Sequence, residues 1–194
     1  MRLPADQRKI QLIEVARNVF ATQGYSPTSM DDIALAAGVT KPVLYQHFRS
    51  KRALYREILH TVGDEMIRAL ESSTATASTG RARVEAGFAA YFRWVASSPN
   101  AFRILFGASV RNDQEFAATI DDVLERATAA IAELIEINAS GDQRRVLAHA
   151  LIGMTESVSR HDLVQISDRE PTGADDLAHW LAELAWFGLR GVRP

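Results

Sequence analysis

The chain has 194 residues, 47% hydrophobic and 24% charged, with 24 acidic against 22 basic side chains and a net charge of −2. That is enough chain to bury a core unaided, and its composition lies outside the disordered class. With no cysteine, disulfides and thiolate metal sites are excluded. No stretch approaches the roughly 18 apolar residues of a membrane span. The opening MRLPADQRKIQLIEVARNVF is charged too regularly for a secretion signal. A cytoplasmic protein is expected.

In chain order, Ile10, Ile13, Ala16 and Phe20 recur at spacings of three and four and predict an amphipathic helix over Asp6–Thr22. Gly24 supplies a left-handed stop. In SPTSMDDIALAAG, Ser29 is the expected N-cap, with Asp32 three positions on in a capping box and Asp31 and Asp32 at the positive end of the helix dipole. That helix ends near Ala37, and Gly38 turns the chain. Thr40 is the expected cap of the next short helix, with Lys41 and Pro42 in its first turn. Ser50 caps a long helix from Lys51 to about Glu71. SSTATASTG, residues 72–80, is a linker pattern. Further helices are predicted near 82–97, 99–108, 113–138, 142–168 and 174–189, with Pro99 and Pro171 at starts or breaks. No period-two run suggests a strand, so the fold class is all-α.

The charge is unevenly distributed. Residues 1–60 hold nine Lys/Arg against five Asp/Glu, or +4; residues 61–194 hold thirteen against nineteen, or −6. A basic head on an acidic body points the head toward a polyanion.

Two short helices around a glycine turn, SMDDIALAAGVTKPVLYQHF, form a helix-turn-helix pattern. Ile33, Ala34 and Ala37 face inward on the first helix, and Leu44 and Phe48 on the second. The second helix then presents Lys41, Pro42, Val43, Tyr45, Gln46 and His47 outward. Lys41 suits guanine O6/N7, Gln46 suits adenine, and Pro42 or Val43 suits a thymine methyl. Tyr45, His47 and Lys51 suit phosphates, as does Ser29 at a helix N-terminus. Arg49 and Arg52 add positive field.

The run from Phe20 through GY to TSMDDIALAAGVTKPVLYQHFRSKRALY resembles the tetracycline-repressor (TetR) family of bacterial transcription regulators. The resemblance covers the first 55–60 residues. It implies an N-terminal three-helix DNA-binding domain, residues 1–52, and an α-helical ligand-binding and dimerisation domain, residues 53–194, in about nine helices. It also implies that Thr40, Lys41, Pro42 and Val43 stand where members read bases. Ser29, Tyr45, His47 and Lys51 stand where members contact the backbone. Asp31 and Asp32 depart from members that are basic there, so no DNA contact is assigned to them.

In the body, Phe88, Tyr91, Phe92, Trp94, Phe102 and Phe106 cluster in AGFAAYFRWVASSPNAFRILFG. Such a cluster serves as core or as the lining of an apolar pocket. By helix face and polarity, Phe88, Phe92, Phe106, Phe116, Met154 and His161 are the candidate ligand contacts. The last two long helices carry Leu147, Leu151, Met154 and Val158, then Leu177, Leu181, Leu184 and Phe187. Leu147, Leu151, Leu177, Leu181 and Leu184 are the candidate dimer contacts of a four-helix interface. A homodimer implies a palindromic operator in double-stranded DNA, its half-sites about 34–36 Å apart.

The expected function is therefore a dimeric, ligand-responsive regulator, a repressor by the family's majority, released by a small apolar inducer. The alternative is an all-α small-molecule-binding protein or enzyme without specific DNA binding. Five scattered histidines and the lack of HExxH, CxxC or G-x-S-x-G patterns weigh against an enzyme. No metal, cofactor or membrane partner is expected.

Overall fold

The computed structural model describes residues 4–107, 113–164 and 172–189; the helix ends expected at 108 and 165–168, and Pro171, lie outside them. Among the described residues every regular element is helical. The helices are α1 Ala5–Gln23, α2 Met30–Ala36, α3 Lys41–His47, α4 Lys51–Thr74, α5 Gly80–Ser97, α6 Pro99–Phe106, α7 Gln114–Leu134, α8 Gly141–Val164 and α9 Ala174–Leu189.

Local chemistry explains most boundaries. α1 buries Leu12, Ala16 and Phe20, one residue per turn, and stops at Gly24 with φ 85°. Its apolar face is centred on those residues, so Ile10, expected inside, is 66% exposed. Ser29 and Asp32 close a complete capping box. Thr40 departs from expectation: it is extended and its hydroxyl makes no cap bond. Its carbonyl instead accepts from the Val43 and Leu44 amides at 3.0 and 3.3 Å. Ser50 Oγ accepts from the Ala53 amide at 3.0 Å. α4 runs past its expected end because the Ser72 and Thr74 hydroxyls donate to helical carbonyls, those of Ala69 at 3.2 Å and Leu70 at 2.8 Å. The linker shrinks to residues 75–79, and Thr79 Oγ1 caps α5 by accepting from the Ala82 amide.

The described residues fall into two compact units, and α4 and α7 each contribute to both. The first unit gathers residues up to Gly63 with 99–123. Compact packing thus draws residues beyond the expected domain boundary at 52 into the same unit as α1–α3. Here α6 packs on α1, and Asn100 Nδ2 donates to Asn18 Oδ1 at 3.2 Å. Four rings join α1, the following loop, α4 and α7. Tyr55 lies edge-on to Phe20 and Tyr25 at 5.0 and 4.9 Å, and Phe116 sits 4.8 Å from both Tyr25 and Tyr55.

Gly63 lets α4 approach α7 closely, since a Cβ there would lie 2.4 Å from Val123 Cγ1. The β-branched Val123 is stiff and cannot readily yield. Gly63→Ala is therefore expected to destabilise by about 1–3 kcal/mol, against a helix-propensity gain of about 1 kcal/mol. Urea unfolding checks this, and unchanged or raised stability would contradict the close approach.

The second unit gathers residues 64–98 and those from Leu124 on. α9 packs chiefly on α5 and buries Leu177, Ala178, Leu181, Ala182 and Ala185. Ala132, Ile135 and Ala148 form a smaller core against which Leu147 and Leu151 pack. Ion pairs such as Asp64–Arg126 at 2.8 Å lie at its surface, where each contributes little.

Candidate nucleic-acid interface

The helix-turn-helix is anchored on one side only. Ile33 and Ala34 of α2, and Leu44 and Phe48 at α3, are buried. Gly38, at φ 63°, takes the left-handed turn that a side chain would strain. Backbone bonds tie the corner: the Ala37 amide donates to Ile33 O at 2.9 Å and the Val39 amide to Ala34 O at 3.0 Å. With Leu44 inward, the opposite side of α3 faces solvent. Thr40, Lys41, Pro42, Tyr45 and Gln46 are exposed, and Val43 and His47 half-buried. The candidate base readers and two of the candidate phosphate contacts, Tyr45 and His47, therefore share one short surface.

Two further candidates are more encumbered than their sequence suggests. The Ser29 hydroxyl works inside the capping box, donating to Asp32 Oδ2 at 2.6 Å while accepting from the Asp32 amide at 3.1 Å. The hydroxyl's bond, with a second that the Ser29 amide donates to Asp32 Oδ2 at 2.8 Å, holds the Asp32 pKa below its ordinary value. Lys51 Nζ donates to the carbonyls of Tyr25, Ser26 and Thr28 at 3.0, 3.2 and 2.8 Å and sits 4.4 Å over the Tyr25 ring. That explains a cation at a helix start, where the dipole disfavours it: the carbonyls offset the repulsion. Lys51 thus fastens the loop after α1 to α4, and a phosphate contact would draw its ammonium away from a carbonyl. Lys51→Ala is expected to cost about 1–3 kcal/mol of stability in denaturant unfolding. A change below a few tenths would mean that the clamp holds nothing.

Asp31 and Arg52 have roles that sequence reasoning missed. Asp31 holds the Lys41 ammonium at 3.0 Å across the α2–α3 corner and raises its pKa. Arg52, expected only to add field, pairs bidentately with Asp113 at 3.1 and 2.9 Å, its guanidinium 5.2 Å from the Phe116 ring. The ten-residue separation of Asp31 and Lys41 can be anticipated once the motif is recognised; the 61-residue separation of Arg52 and Asp113 cannot.

The six candidate ligand contacts divide between the units. Phe106 and Phe116 are buried in the first; Phe88, Phe92, Met154 and His161 belong to the second, where His161 is exposed and Met154 half-buried. In the first unit, an open groove of about 670 Å³ runs past Arg56, Glu57, His60, Thr119 and Asp122, and none of the six lines it. The five candidate dimer contacts also separate. Leu177 and Leu181 are buried within the second unit and Leu147 and Leu151 half-buried, leaving Leu184 exposed. Among the described side chains, the large apolar ones that α9 leaves in solvent are Trp180, Leu184 and Phe187, and α8 adds Val146. Among the described residues, no three His, Asp or Glu side chains group as metal ligands, and no helix is long and apolar enough to cross a membrane.

A helical fold with an N-terminal helix-turn-helix, its second helix presented to solvent, defines a DNA-binding regulator class. The profile described as bacterial regulatory proteins, tetR family, matches residues 12–58, and a tetracyclin repressor-like C-terminal domain matches residues 81–188. The chain is 31% identical over 193 residues to the HTH-type transcriptional activator FasR of Mycolicibacterium smegmatis, covering 98% of this chain and 87% of that protein. It is 35% identical over 79 residues, 41% of this chain and 39% of the other, to the HTH-type transcriptional repressor KstR2 of Rhodococcus jostii. A TetR-like transcriptional regulator from Rhodococcus sp. RHA1 superposes with a TM-score of 0.79 at 26% identity, covering 98% of this chain and all of that one. FadR from Bacillus subtilis, in complex with stearoyl-CoA, shares the fold at a TM-score of 0.79 and 16% identity, over 95% of this chain and 99% of that one. The chain belongs to the TetR family and is a helix-turn-helix transcriptional regulator.

Proposed function

We propose that the protein binds a palindromic operator as a homodimer and that a small, mainly apolar molecule held in the second unit changes its DNA affinity. The observation that carries the DNA half is the one-sided anchoring of α3, with Leu44 and Phe48 buried and Thr40, Lys41, Pro42, Tyr45 and Gln46 turned to solvent. In this reading α3 enters the major groove. Lys41 with Thr40, Pro42, Val43 and Gln46 reads bases, while Tyr45, His47 and the amides at Ser29 meet phosphates.

The dimer half rests on the apolar side chains that α8 and α9 leave exposed, since two-fold pairing buries the same surface of both chains. Phe88, Phe92 and Met154 are the residues proposed to line the ligand site. A ligand that prefers one form of the dimer shifts the population toward it, and operator and ligand then influence each other reciprocally. Repression is the family's commoner outcome, but the relative matched along its length is named an activator. A reporter fused to the operator gives the sign.

A gel shift with the DNA upstream of the protein's own coding region tests the reading. A specific, salt-sensitive band is expected, and its absence on all accessible sequences would overturn it. Lys41→Ala should lose about 1–3 kcal/mol of discrimination at one base pair while leaving the salt slope nearly unchanged. A uniform loss across sequences would instead make Lys41 a phosphate contact.

A further inference from the structure

In the second unit, α5 places Tyr91 and Trp94 three residues apart, their ring centroids 6.0 Å from each other. α8 packs against α5 and brings Thr155 and Ser159, one turn apart. All four are buried: Tyr91 is 6% exposed, Trp94 7%, Thr155 8% and Ser159 2%. Thr155 is satisfied by its own helix, donating to Ile152 O at 2.8 Å. Tyr91 Oη, Trp94 Nε1 and Ser159 Oγ have no hydrogen-bond partner in the protein. The phenol lies close enough to the Thr155 and Ser159 hydroxyls to feel their dipoles, but outside hydrogen-bonding geometry. Buried side-chain polar atoms are usually paired, so three orphans at one helix contact need a reason.

The chemistry of the orphans narrows what would satisfy them. An indole N–H only donates, whereas the two hydroxyls donate or accept, so the complementary group must accept. Burial raises the Tyr91 pKa, which keeps the phenol a neutral donor. The nearby cation, Arg160, is already paired with Glu156 at 2.6 Å, so an anion would find no uncompensated charge. On the same helix the neighbours Phe88, Phe92 and Val95 are buried and apolar.

We propose that Tyr91, Trp94 and Ser159 are the polar anchor of the ligand site, taking the carbonyl oxygen of a neutral, otherwise apolar molecule. This deepens the ligand half of the proposed function and rests on it. The arrangement leaves donors unmet in the free protein and satisfies them in the complex, which gives orientation and selectivity to a mostly apolar site.

The test uses the full chain and two measurements. In thermal unfolding without ligand, Tyr91→Phe and Ser159→Ala are expected to melt at or above the wild-type temperature, because each removes an orphaned group. In an NMR titration with acetophenone and with ethylbenzene, its counterpart without the carbonyl, the wild type is expected to prefer the ketone by about tenfold. Either variant should bring that preference near unity while ethylbenzene binding stays unchanged.

Melting below wild type in both variants would show hydroxyls satisfied within the free protein and would overturn the anchor. Equal binding of the two probes, or binding of neither, would overturn it as well. Both measurements omit DNA, so a failed gel shift would strike the regulator reading while leaving these results to be judged separately.

Discussion

Leu184→Glu is expected to turn the protein into a monomer and to cut operator affinity by about a hundredfold or more. The reason lies in the geometry of α9. Trp180, Leu184 and Phe187 fall on one stripe, at spacings of four and three, and are 58%, 63% and 61% exposed. Leu177 and Leu181, on the adjoining side of the helix, are buried in the unit. A charge at 184 therefore removes no packing within one chain but must be desolvated if two chains meet there. On the proposed reading each half-site meets only a few base-reading side chains, so tight operator binding requires both heads on one duplex. Sedimentation velocity and a gel shift check the two halves together. A Leu184→Glu protein that stays dimeric, or that binds operator as wild type does, places the interface elsewhere.

Tyr55→Ala carries the largest expected loss of stability, about 3–5 kcal/mol. Tyr55 is almost wholly buried and touches the rings of Phe20, Tyr25 and Phe116. It joins α1, the loop clamped by Lys51, α4 and the first turn of α7. Removing the ring opens a cavity bordered by three other aromatics, which cannot all move inward without losing their own contacts. Tyr55→Phe keeps the ring and is expected to retain most of the stability. Urea unfolding of both variants decides; equal losses would place the value of Tyr55 in its hydroxyl instead of its packing.

Features that depend on near neighbours were the legible ones. The Ser29–Asp32 box, the Ser50 cap and the positive φ at Gly24 and Gly38 follow from two to four consecutive residues, and all are present. The inward and outward sides of α3 follow in the same way once Leu44 is placed. Where the deciding partner is distant, the pattern misled or stayed silent. Lys51 was legible only as a candidate phosphate contact, because its three carbonyls belong to residues 23 to 26 positions earlier. α9 is apolar on two faces, so periodicity alone could not say which leucines meet α5 and which meet solvent. The hydroxyl-rich end of α4 read as linker because composition does not show Ser72 and Thr74 returning their protons to the helix.

The Asp31–Lys41 pair bears on how such a regulator finds its site. On the proposed reading, an encounter with arbitrary DNA brings an exposed carboxylate toward the phosphates together with the lysine it holds. Unless a guanine edge draws the ammonium into the groove, attraction and repulsion largely offset each other there, and the complex is short-lived. The pair would thus shorten dwell time on unrelated sequence and leave the protein freer to move along the duplex until α3 meets its operator.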